Sequence, residues 1–111
     1  MGKTFDFNTR KKEYLTTTLP DEAKTTIMVG MPTKKLFGEL TALKTTLNTD
    51  NNADETIDEL YDVIAKVMSN NKGGIKITRK KLESCGIEFD DLVAYFNTYI
   101  QFVRSFANVK N

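Results

Sequence analysis

The chain has 111 residues, of which 40% are hydrophobic and 28% charged, and these values are typical of one folded domain. Sixteen Lys and Arg against fifteen Asp and Glu give a formal net charge of +1, so no overall field draws the chain to nucleic acid or to an anionic membrane. No apolar run approaches the ~20 residues of a membrane-spanning helix, and residues 1–6 lack the apolar segment of a signal peptide. We therefore expect a single-domain protein, residues 1–111, that resides in the cytoplasm.

Residues 12–31 are rich in Thr, Val, Ile and Tyr, which favour strands, and Pro20 and Asp21 interrupt them. The pattern predicts a β-hairpin with arms near residues 13–19 and 24–31. Phe5 and Phe7 alternate around a polar residue and either add a third strand or pack beside the hairpin. Because an isolated hairpin is marginally stable in water, we expect it to lie on the helices that follow.

The remaining chain has helical spacing of its apolar residues. Thr33 and Thr78 are the expected N-caps of two helices, and Asn52 followed by Glu55 resembles a capping box before another. The predicted helices span about 33–49, 54–70, 78–85 and 90–108. The sequence therefore predicts an α+β fold that is predominantly helical, with an N-terminal β-hairpin followed by three to four α-helices.

The residue types of a catalytic centre are scarce. The sequence has no histidine and a single cysteine, Cys85, which we interpret as a packed thiol. Acidic residues crowd the starts of two predicted helices, where they complement the helix dipole and give a solvated face. These residues are Asp54, Glu55, Asp58, Glu59, Asp62, Asp90 and Asp91. We therefore predict no catalytic residue, no metal site and no cofactor, and hence a protein that is not an enzyme.

Two short basic runs form a candidate patch for nucleic-acid phosphates or an acidic partner. They consist of Arg10, Lys11 and Lys12, and of Arg79, Lys80 and Lys81. Nearby acidic residues and the lack of interleaved aromatic residues favour ordinary exposed charge. A small nucleic-acid-binding regulatory protein is therefore the alternative function, although we expect nucleic acid not to be the partner.

The last predicted helix carries more aromatic area than one small core needs. Each aromatic residue there has a core interpretation and an interface interpretation, and Tyr95 and Phe102 are the stronger interface candidates. Our hypothesis assigns four residues to a partner-binding or self-association surface: Tyr95, Tyr99, Phe102 and Phe106.

The order of these features resembles a known family. A Thr-rich hairpin precedes the helix start Met-Pro-Thr-Lys-Lys-Leu-Phe at residues 31–37, and an acidic helix ends in Ser-Asn-Asn-Lys at 69–72. Ile-Thr-Arg-Lys-Lys-Leu follows at 77–82, then an aromatic-rich segment at 89–103. The pattern spans nearly the whole chain and is similar to the tail assembly chaperones of long-tailed, siphovirus-type phages and prophages of Gram-positive bacteria.

The resemblance implies a non-catalytic protein that binds the phage tape-measure protein and helps to recruit tail-tube subunits. It implies a virus-encoded or prophage-encoded chain that acts in the cytoplasm of the bacterial host and is absent from the mature virion. Members of this family often also have a longer frameshifted form, and a chain that stops at Asn111 resembles the shorter product.

Overall fold

The computed structural model describes residues 3–7, 11–48 and 54–107. These residues form an antiparallel two-stranded hairpin followed by four helices, which confirms the predicted, mostly helical α+β fold. No helix in these ranges is long and apolar enough to cross a lipid bilayer. The elements in chain order are β1 (Leu15–Thr18), β2 (Thr26–Val29), α1 (Lys34–Leu47), α2 (Asp54–Ser69), α3 (Arg79–Ser84) and α4 (Phe89–Ala107).

The hairpin has one buried face and one exposed face. Leu15 pairs with Val29, and Thr18 pairs with Thr26. The inward positions are occupied by Thr17, Ile27 and Val29. Successive side chains of a strand point to opposite faces, so Thr16 and Met28 lie on the exposed side.

The turn that joins the strands is held by Asp21. Its carboxylate accepts hydrogen bonds from the backbone N–H of Thr25 at 2.8 Å and from the Thr25 hydroxyl at 2.7 Å. Lys24 takes a positive φ of 51°, and the N–H of Leu19 donates to the carbonyl of Thr25 at 2.8 Å. The break in the sequence at Pro20 and Asp21 is thus the hairpin turn.

Phe5 and Phe7 do not form a third strand, which was one of the two alternatives that the sequence left open. Residues 3–7 contain no strand, and both aromatic side chains are exposed and contact each other, with ring centroids 4.7 Å apart. The outer edge of β2 is instead occupied by the segment after α2. Asn71 forms a bridge with Val29, and the N–H of Lys72 donates to the carbonyl of Met28 at 2.9 Å.

Three of the helix ends follow the local sequence. Thr33 caps α1 by accepting a hydrogen bond from the N–H of Leu36 at 3.2 Å, and Thr78 caps α3 through the N–H of Lys81 at 3.1 Å. Gly86 has a φ of 83° after the last turn of α3, a conformation that glycine adopts without strain. The capping box at Asn52 lies outside the described residues.

The core lies where the hairpin, α1, α2 and α4 meet. Leu40 and Leu43 of α1 and Leu60 and Ile64 of α2 are fully buried, as the helical spacing of the sequence predicts. Phe96 and Tyr99 of α4 are the two largest fully buried side chains. The predicted packing of the hairpin on the helices is therefore observed.

Candidate protein-binding surface

The aromatic residues of α4 pass from the core to the surface along the helix. Tyr99 is fully buried, and its hydroxyl donates to the carbonyl of Gly30 at 2.7 Å. Burial is the main cause that raises the pKa of Tyr99 above its usual value, and the neighbouring Tyr95 contributes. The placement of Tyr99 on a partner-binding surface is therefore corrected: Tyr99 is a core residue that joins α4 to the end of β2.

Tyr95 lies between these two environments. Its ring is half-buried, and its hydroxyl lies 2.8 Å from the hydroxyl of the buried Thr17 on β1. Burial raises the pKa of Tyr95, and the hydrogen bond to Thr17 opposes that change. Tyr95 therefore contributes to hairpin packing, and only part of its side chain is available to a partner.

The last turns of α4 expose their aromatic residues. Phe102 is half-buried, and its ring centroid lies 6.0 Å from that of Tyr99. Phe106 is 36% exposed and packs edge-on against Phe102 at 5.3 Å. Phe102 and Phe106 are thus the two of the four predicted residues that this arrangement brings to the surface together.

A cavity of about 520 Å³ opens beside Phe106, between the segment that leads into β1, the end of β2 and the residues after α2. Lys11 and Lys12 from the first basic run line it, together with Lys72. Met31 and Tyr14 supply apolar surface. No sequence pattern points to Tyr14, Met31 or Lys72, because they come together only through the pairing of β2 with β1 and with Asn71.

The second basic run lies elsewhere and is paired with acidic residues. Arg79 contacts Asp58 at 2.6 Å and Glu83 at 3.1 Å, and these hydrogen bonds raise the pKa of Arg79. Lys81 contacts Asp21 in the hairpin turn at 3.1 Å, at the end of β1 opposite to Lys11 and Lys12.

The two basic runs therefore do not converge among the described residues. Lys80 is exposed on α3, and Arg10 lies outside the described residues. The nucleic-acid hypothesis thus loses the combined patch on which it depended.

The acidic residues have structural roles. The carboxylate of Asp91 accepts a hydrogen bond from the N–H of Glu88 at 2.9 Å at the start of α4. Carboxylate oxygens of Glu88, Asp90 and Asp91 lie within 4.8 Å of one another. All three residues are exposed, as is common for the first turn of a helix.

Cys85 is half-buried, and its backbone N–H caps α3 by donating to the carbonyl of Lys81 at 3.0 Å.

A second cavity, of about 590 Å³, lies between α1 and α2. An ion pair between Lys66 and Glu39, 2.9 Å long, joins the two helices there. The hydrogen bond that Lys66 donates to Glu39 is the main cause that raises the pKa of Lys66. Leu36, Ala65 and Ile77 are its apolar side chains, and all three are buried. None of the large apolar side chains that are exposed among the described residues lines this cavity, whereas Met31 and Phe106 line the other one.

Comparisons with family models, with curated proteins and with solved structures found no match to this chain.

Proposed function

We propose that this chain is a non-catalytic tail assembly chaperone that binds the tape-measure protein of a long-tailed phage or prophage and helps to recruit tail-tube subunits. The order of sequence features that resembles this family supports the proposal. The observation that carries its binding role is the exposed aromatic end of α4, where Phe106 lies against Phe102 and beside a cavity.

The exposed apolar side chains at the end of α4 have the properties of a protein-binding surface. Large apolar side chains that cluster on a surface beside a cavity are the usual anchors of protein interfaces. Phe106 and Met31 are both exposed and line the same cavity, so a partner side chain placed there loses water together with both residues. A chaperone of a long helical chain requires such apolar surface to cover its partner before assembly.

Co-expression with the tape-measure protein encoded in the same genome tests the proposal. We expect the two chains to co-purify and the tape-measure protein to become soluble. A tape-measure protein that stays insoluble while this chain elutes alone would contradict the function. The same purified complex, mixed with the tail-tube protein, should retain tail-tube subunits that neither chain retains separately.

Matched variants locate the binding surface. Phe106→Ser should weaken co-purification, because it removes the exposed ring that lines the cavity. Phe37→Ser is the control, since Phe37 is also an exposed phenylalanine but lies on α1 and does not line this cavity. If Phe37→Ser abolished the complex and Phe106→Ser did not, the binding surface would be on α1.

A further inference from the structure

The cavity beside Phe106 has walls that the fold holds in place. Asn70 accepts a hydrogen bond from the N–H of Gly30 at 2.9 Å through its carbonyl, and its side-chain amide donates to the carbonyl of Met31 at 2.7 Å. The backbone N–H of Lys72 donates to the carbonyl of Met28 at 2.9 Å. These bonds fix the positions of Met31 and Lys72 relative to each other, so the cavity exists before any partner binds.

The charged side chains of the cavity are mostly basic. Three lysines, Lys11, Lys12 and Lys72, line it with one acidic residue, Glu13. Within the described parts of the chain, Lys12 and Lys72 form no ion pair with a carboxylate, whereas Arg79 and Lys81 do. The cavity therefore concentrates positive charge on a molecule whose net charge is only +1.

Aromatic and aliphatic groups lie among these lysines. The ammonium group of Lys72 lies 5.7 Å from the ring centroid of the half-buried Tyr14. Met31 and Phe106 supply the exposed apolar surface of the cavity. A ligand that matches the whole cavity must therefore carry both negative charge and an apolar group.

We propose that this cavity binds a short acidic peptide segment of a partner protein, with at least one large apolar side chain. Carboxylates of the segment lie against Lys12 and Lys72, and the apolar side chain packs on Phe106 and Met31. The volume of about 520 Å³ is in the range of cavities that bind small ligands and accommodates one or two side chains. The inference goes beyond the proposed function, since it holds for any protein that carries such a segment.

A peptide fits this chemistry better than nucleic acid does. A phosphate backbone would gain from the lysines and a base would stack on Phe106, but each nucleotide would also bring a phosphate towards the carboxylate of Glu13 and the apolar side chain of Met31. Peptides that combine carboxylates with apolar side chains satisfy both halves of the cavity.

Selection of random dodecapeptides displayed on a carrier, with the full-length chain as bait, tests the inference without a known partner. We expect the enriched peptides to combine Asp or Glu with Phe, Leu, Ile or Met. Enrichment without acidic residues, or no enrichment above the starting library, would overturn the proposal. Because the tape-measure protein is absent, this outcome is independent of the proposed function.

Charge-reversal variants connect selected peptides to the cavity. The double variant Lys12→Glu/Lys72→Glu should weaken binding of a selected peptide about tenfold or more, since it replaces attraction by repulsion. Lys34→Glu/Lys80→Glu is the matched control, because it changes the charge equally at two exposed lysines that do not line the cavity. Circular dichroism should show both variants folded, and equal losses in both would refute the site.

Two further measurements test whether a second copy of this chain or a nucleic acid occupies the cavity instead. Sedimentation of the wild-type chain would overturn the proposal if it showed self-association that Lys12→Glu/Lys72→Glu abolished, because the occupant would then be a second copy. Tighter binding of a labelled single-stranded oligonucleotide than of any selected peptide would overturn it in favour of nucleic acid. Phe106→Ser should weaken peptide binding and leave its dependence on salt unchanged, because the ring contributes no charge.

Discussion

The part of α4 that ends at Tyr99 and the last turns after it carry the same kinds of side chain in different surroundings. Phe96 and Tyr99 are 1% and 0% exposed, whereas Phe102 is half-buried and Phe106 is 36% exposed. The part that ends at Tyr99 lies under the hairpin, where Thr17 and Gly30 contact the hydroxyls of the two tyrosines. The last turns lie beside the cavity.

A single apolar stripe on a helix can thus supply both core residues and exposed surface residues. The stripe determines which side of α4 faces the protein, and the neighbouring elements determine how far along the helix that side is covered. The ring contacts from Tyr99 through Phe102 to Phe106 are continuous. A partner that binds Phe106 therefore contacts a side chain that is one ring away from the core.

Substitutions in the two parts of α4 should differ most in their effect on the stability of the protein. Phe96→Ala should lower the free energy of unfolding by about 3–5 kcal/mol, because it leaves a cavity in the core. Phe106→Ala should lower it by clearly less, since 36% of that side chain is already exposed to water and its removal leaves no closed cavity. Urea denaturation of the two variants measures both values. Similar losses of unfolding free energy would contradict the division of α4 into a buried part and an exposed part.

A smaller effect is expected from Tyr99→Phe. The substitution keeps the ring but removes the hydroxyl that donates to Gly30, so a partly buried carbonyl loses a partner at a cost of about 1 kcal/mol. Urea denaturation measures the loss. The control is Tyr61→Phe, which removes the hydroxyl that donates to the carbonyl of Ile87, away from the hairpin. If Tyr99→Phe were as stable as the wild type, this bond would not contribute to holding α4 against β2.

Alkaline pH should lower the stability of the folded chain through the two tyrosines that lie under the hairpin. Burial raises the pKa of Tyr99 and of Tyr95 above the usual 10.0, so the unfolded chain releases these protons at lower pH than the folded chain. The stabilisation is therefore complete below pH 10.0 and declines as the pH rises above it. Urea denaturation across this range measures the decline, which Tyr99→Phe should reduce; an unchanged profile in the variant would contradict the assignment.

The smallest expected effect concerns the hairpin turn, which lies away from the last turns of α4. Hydrogen bonds from Thr25 are the main cause that lowers the pKa of Asp21 from 3.8 to about 2, and Lys81 contributes. This contribution to stability is present above pH 3.8 and is lost as the pH falls through about 2. Because asparagine does not titrate, Asp21→Asn should reduce the loss of unfolding free energy, measured by urea denaturation, as the pH falls from 3.8 to about 2. It should not change peptide binding beside Phe106.

Local rules in the sequence predicted much of the fold. The strand pattern around Pro20 predicted the hairpin, and Thr33 and Thr78 cap helices as expected, because these features depend on residues close in sequence. The alternative of a third strand at Phe5 and Phe7 is wrong, because alternation alone does not specify which segment occupies the edge of β2. That position is taken by Asn71, which the sequence showed only as part of a polar loop.

The candidate site divides in the same way. The sequence identified the aromatic excess of α4, but it could not distinguish the buried Tyr99 from the exposed Phe106, because both lie on one helical stripe. It identified Lys11 and Lys12 as a basic run, but it grouped them with Arg79 rather than with Lys72. Pairing between distant segments is not encoded in short-range spacing.

The sequence by itself determined the helices, the hairpin, their caps and the scarcity of catalytic residue types, because each depends on residue chemistry or on spacing within a few positions. The tertiary structure alone decided which aromatic residues are covered and which lysines share a cavity. Both outcomes depend on the bridge between Val29 and Asn71 and on the hydrogen bond from Tyr99 to Gly30. These contacts join residues about 40 and 70 positions apart, and only packing of the whole chain brings such residues together.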